Sequence, residues 1–117
     1  MFTIQDFVSA TRKMIRENPD TRYIKPYNDS GCYNTIGICT NGTTGCVFGQ
    51  ILIKLGHSPR ENSSIRNELQ CLGFQDRLEI NWAQDIQGYQ DSNMTWGESL
   101  AKANLKYPEI KEKYGEE

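Results

Sequence analysis

No apolar run in this chain approaches the roughly 18 residues that a membrane-spanning helix needs, and its first residues, MFTIQDFVSATRKM, lack the apolar block of a secretory signal. Cytoplasmic residence with no membrane association is the expectation, and there thiols stay reduced and a disulfide framework is disfavoured. Histidine is nearly absent too, with His57 alone, and the four cysteines include no C-x2-C pair. Tetrahedral zinc sites usually draw on two such close pairs, so no metal is expected. The glycines of GICTNGTTG (37–45) are not followed by the Lys-Ser/Thr ending of a phosphate-binding loop, and no cofactor is expected either. Runs of Lys/Arg are missing from a chain of net charge −2, which disfavours nucleic acid as a partner.

What is present describes one modest domain: 117 residues, 37% hydrophobic and 24% charged. The charge is uneven. Residues 1–60 carry seven Lys/Arg against four Asp/Glu, a net of +3, and residues 61–117 carry six against eleven, a net of −5. The basic share, Arg12, Lys13, Arg16, Arg22 and Lys25, reads best as a solvated helix face rather than an anion site.

Helix signals dominate. Thr3 and Asp6 have the spacing of a capping box, and Ile4, Phe7, Val8, Thr11, Met14 and Ile15 then repeat at helical spacing, leaving Arg12, Lys13 and Arg16 outside, before Asn18-Pro19 ends the run. TRYIKPY (21–27) and TIGICT (35–40) predict two short strands of a hairpin over about 21–42, with NDSG (28–31) as a turn. CVFGQILIKLG (46–56) predicts the central helix, with Gly56 as its C-terminal cap. Ser64 opens a further helix that ends at Gly73, and Leu78, Trp82, Ile86 and Tyr89 mark another. Thr95 to Glu98 is a full capping box for a helix that Pro108 stops, leaving 108–117 as a charged tail that frays. The expected fold is therefore α+β, mainly α with one small β-hairpin: a compact single domain of four to five helices whose helical core spans about 46–105.

Cys32, Cys39 and Cys46 fall at equal steps of seven. Cys46 opens the central helix, where N–H groups and the helix dipole favour a thiolate, so a cysteine-dependent hydrolase or transferase with Cys46 as nucleophile stays open. His57 is no partner for it, since eleven residues of straight helix separate the two by roughly 16 Å. Packing accounts for the cysteines more simply, with Cys39 in a strand, Cys71 on the buried side of its helix and Cys46 with Gly49 forming a small-residue face for close approach. Gly49 within a helix calls for such a reason, because it costs about 1 kcal/mol against alanine.

Two patches mix aromatic, amide and charged groups in the way binding sites do. Arg22, Tyr23, Lys25 and Tyr27 lie on the hairpin, and Gln87, Asp91 and Trp96 lie in WAQDIQGYQDSNMTWGE. Core anchoring is the competing explanation for the tryptophans.

GCVFGQILIKLG, the helix ending LQCLGF, and WAQDIQGYQDSNMTWGESLAKA together resemble small uncharacterised accessory proteins of tailed bacteriophages that infect actinobacteria, over about residues 40–105. Cys46, Gly49, Leu55, Gly56, Gln87, Gln90, Asp91, Trp96, Gly97 and Glu98 carry the resemblance. It implies a host-cytosol protein that inhibits a host protein or sequesters a small nucleotide-like signalling ligand. A non-enzymatic binding protein, expected as a homo-oligomer, is the leading functional expectation.

Overall fold

The computed structural model describes residues 1–27 and 33–115; the turn expected at 28–31 and Cys32 lie outside them. Six helices and one two-stranded antiparallel sheet follow in the order α1 (Ile4–Glu17), β1 (Tyr23–Ile24), β2 (Ile38–Cys39), α2 (Val47–Lys54), α3 (Ile65–Cys71), α4 (Arg77–Asp91), α5 (Trp96–Lys106) and α6 (Glu109–Tyr114) among the described residues. The fold is mainly helical α+β. Its radius of gyration, 12.9 Å, is close to the ~13 Å expected of one domain this long. No helix of the described residues is long and apolar enough to cross a membrane.

Local chemistry sets most boundaries. Thr3 and Thr95 each close a complete capping box, with Asp6 and Glu98 reaching back to the cap nitrogen. At the other end of α2, the His57 N–H bonds the Leu52 carbonyl at 2.9 Å and the Gly56 N–H bonds that of Ile53 at 3.0 Å, with Gly56 at φ +91°. This is the Schellman pattern, and α3 repeats it at Gly73. The two Leu-Gly endings therefore share capping chemistry and do not mark a repeat. Asn93, at φ 73°, closes α4 the same way.

α4 is the hub, touching α2, α3, α5, α6 and β1, while α1 packs across α2 and α5. Val47, Phe48, Ile51 and Leu52 of α2 are all fully buried, as the apolar circumference of that segment predicts. Phe2, Phe7 and Phe48 form a ladder of rings with centroids 6.5 and 5.6 Å apart, and Phe74 joins Phe2 at 5.4 Å. The sheet is short: Tyr23 faces Cys39 and Ile24 faces Ile38.

Three expectations need correction. The tail does not fray over 109–114, because α6 sets Ile110 in the core and binds α4 through Glu79, whose buried carboxylate accepts from Lys113 Nζ at 2.7 Å and from the Tyr114 hydroxyl. It adds a sixth helix to the four to five expected. Arg12 is buried and not solvated, since its guanidinium donates to the carbonyls of Tyr114 and Gly115, the latter at 2.6 Å, and so holds α6 against α1. Cys71 ends α3 exposed, not on its buried side.

Gly49 has the packing reason its helical position demands. The Asn34 backbone crosses it so closely that a methyl group there would overlap the Asn34 carbonyl oxygen. Gly88, mid-helix in α4, has nothing within 4 Å of such a methyl. Denaturant unfolding should therefore show Gly49→Ala losing about 3 kcal/mol or more, and Gly88→Ala gaining about 0.5–1 kcal/mol. Equal effects at the two sites would contradict this packing.

Candidate functional site

The two patches expected from sequence do meet. Arg22 Nε donates to the Asn93 carbonyl at 3.2 Å, the Trp96 N–H donates to the Thr21 carbonyl at 2.8 Å, and the positive charge of Lys25 acts on the Asp91 carboxyl. Burial nevertheless pushes that carboxyl above its ordinary value. The hairpin and the α4–α5 connection thus form one region of surface.

Within it, several expected contact residues point inward. Trp96 is wholly buried, with Nε1 donating to Gln90 Oε1 at 3.2 Å. Gln87 is 1% exposed. Tyr23 is buried, its hydroxyl donating to the carbonyls of Tyr33 at 3.1 Å and Ile36 at 3.0 Å, and burial holds its ionisation well above the usual range. Trp82 is core as well, tied through Nε1 to Asn104 Oδ1 at 3.0 Å. Arg22, Lys25, Tyr27 and the half-buried Asp91 remain at the surface.

The glutamines of QDIQGYQ serve the frame. Gln84, Gln87 and Gln90 follow one another at steps of three along α4 and accept backbone N–H groups from the first turns of other helices. Gln90 Oε1 accepts from Val47 at 2.7 Å, Gln87 Oε1 from Ile65 at 3.0 Å and Gln84 Oε1 from Arg66 at 3.2 Å. The first-turn N–H groups of a helix have no partner inside it, and buried ones must find one elsewhere. One face of α4 supplies it to both α2 and α3.

Cys46 belongs to the same interior. It is the N-cap of α2, 1% exposed, accepting the Gly49 N–H at 3.3 Å and donating to Asn34 Oδ1 at 3.2 Å. Asn34 in turn donates to the carbonyls of Arg60 at 2.6 Å and Ser63 at 2.9 Å. Burial pushes the Cys46 thiol up to about 12, outweighing the helix-end N–H groups that favour a thiolate. His57 is engaged elsewhere, with Nε2 3.3 Å from Glu68. A buried, protonated thiol lacking both base and access is the opposite of an activated nucleophile. Among the described residues no three His, Cys, Asp or Glu side chains gather as a metal site.

Of the outward side chains, Tyr27 was expected from the sequence, whereas the isoleucines of the hairpin were not. Ile24 and Ile38, paired across the sheet, are 55% and 63% exposed, and Ile36 and Tyr27 on the same hairpin are 42% and 60% exposed. Alternation along TRYIKPY was the available signal: with Tyr23 turned inward, Ile24 must turn outward. No family model matches the chain, and no curated protein or solved structure matches it either.

Glu68 is a further buried charge, 1% exposed, accepting from Ser63 Oγ at 2.6 Å, the Arg60 N–H at 3.0 Å and Arg60 Nε at 2.9 Å. Burial alone would raise its carboxyl, but the hydrogen bonds from Ser63, Arg60 and His57 win and lower it from 4.5 to about 2. Because the folded value lies below the unfolded one, this contribution is complete above about pH 4.5 and lost as pH falls toward about 2. With Arg60 largely exposed and screened, it amounts to on the order of 2 kcal/mol. Glu68→Gln should lower stability at pH 7 and flatten the acid limb in pH-dependent denaturation; an unchanged limb would contradict the assignment. In a Cys32→Ser background, a thiol-reactive chromophore should modify Cys71 readily, and Cys39 and Cys46 only on unfolding. Fast modification of Cys46 in the folded protein would restore the nucleophile.

Proposed function

We propose that this chain is a non-enzymatic binding protein that docks a protein partner on the outer face of its β-hairpin. The observation that carries the proposal is the exposed pair Ile24 and Ile38, facing each other across the sheet. Ile36 and Tyr27 of the same hairpin are exposed as well, and exposed apolar surface on one face is often functional. The patch therefore makes the dry centre of a docking site, with Arg22 and Lys25 on its polar rim. A sheet face of this kind offers area to another surface, which favours a protein over a small molecule at this place.

The resemblance of residues 40–105 to accessory phage proteins supplies the setting. The partner is then a host protein, inhibited when its own surface is covered, and binding in the host cytosol requires no reaction. The cysteine-dependent hydrolase gains no support from Cys46, whose burial and raised ionisation both oppose it.

Ile24→Lys/Ile38→Lys should keep its circular dichroism and melting temperature, because both side chains are exposed, and should lose at least about tenfold in capture of the partner that the unaltered protein retains from host lysate. Undiminished capture by the double variant would place the interface elsewhere.

A further inference from the structure

A second region, at the N-terminal half of α4, is built differently. A groove of about 660 Å³ lies between α3 and the start of α4, within the size range of small-molecule sites. Arg66 and Arg77 line it, Gln70 and Asn81 contribute amides, and Phe74 contributes apolar surface.

The two arginines stand out by comparison with the other cations of the acidic half. Residues 61–117 contain six Lys/Arg. Lys106 pairs with Asp85 at 2.8 Å, Lys113 with Glu79 at 2.7 Å, Lys102 lies 4.8 Å from the centre of the Tyr89 ring, and Lys111 is engaged as well. Neither Arg66 nor Arg77 is in an ion pair among the described residues. The two uncommitted cations of a segment with net charge −5 thus line the same groove. Their backbones are fixed: the Arg66 N–H is held by Gln84, and Arg77 is the first residue of the longest helix.

Two guanidiniums lining one groove suit a phosphate, which each can grip with paired N–H donors. Phe74, half-buried against Phe2, gives a planar group an apolar surface, while the Gln70 and Asn81 amides can donate to or accept from its edge. We infer that the α3–α4 groove is a binding site for a nucleotide, with its phosphates between Arg66 and Arg77 and its base toward Phe74 and the amides. The site is separate from the hairpin face and stands or falls independently of it.

Titration of ¹⁵N-labelled protein with ATP and with inorganic tripolyphosphate tests both halves of the inference. Saturable amide shifts centred on Arg66, Gln70, Arg77 and Asn81 are expected with ATP, with a dissociation constant below about 1 mM. Arg66→Ala/Arg77→Ala should weaken it about tenfold or more while leaving the melting temperature in place, and tripolyphosphate should bind about tenfold more weakly than ATP. Absence of saturation, shifts centred elsewhere, or unchanged binding by the double variant would overturn the site. Equal affinity for tripolyphosphate and ATP would overturn the assignment of the base.

Discussion

The N-terminal ends of α2 and α3 are buried, and the donors exposed there must be satisfied by something other than water. The carbonyl oxygens of Gln87 and Gln90, one helical turn apart on α4, do this, and much of the fold follows. Because Gln90 serves the Val47 N–H and the Trp96 indole together, it locks α2, α4 and α5 at one point. Gln87 touches the Cys46 thiol through Nε2 at 3.8 Å while its oxygen holds α3. A buried N–H left without a partner costs on the order of 1–3 kcal/mol, so each of these side chains carries a sizeable part of a small domain's stability.

This interior network decides where function can lie. The residues that most resemble a ligand pocket in sequence (amides, tryptophan, cysteine at a helix start) are consumed in holding helices together. Cys46 and Asn34 form a relay from α2 to the Arg60–Ser63 loop, and Gly49 exists so that the Asn34 backbone can cross the helix. What remains outside is of two kinds: an apolar hairpin face suited to another protein, and a groove with two uncommitted guanidiniums suited to a phosphate. Neither calls for a reacting group.

Local signals were readable where the chemistry is local. The capping boxes at Thr3 and Thr95, the Leu-Gly helix ends and the apolar wheel of α2 lie within a few residues of one another, and all stand in the structure. What escaped reading depends on partners far along the chain. α6 looks like a charged, fraying tail until Glu79, 34 residues before Lys113, and Arg12, 102 before Tyr114, are seen to hold it. The burial of Gln90 depends on Val47, 43 positions away. For the hairpin, alternation sets Ile24 opposite to Tyr23, but nothing within a two-residue strand tells which of the two faces inward.

The most direct measurement is denaturant unfolding of Gln90→Leu, which keeps the side-chain volume and removes the acceptor shared by Val47 and Trp96. If α4's glutamines are the frame, this variant loses about 3 kcal/mol or more, with the Val47 and Trp96 indole hydrogens exchanging faster than those of neighbouring core positions. If its stability and exchange match those of the unaltered protein, the amides of this helix are free for a ligand, and the division between buried frame and exposed binding surfaces is wrong.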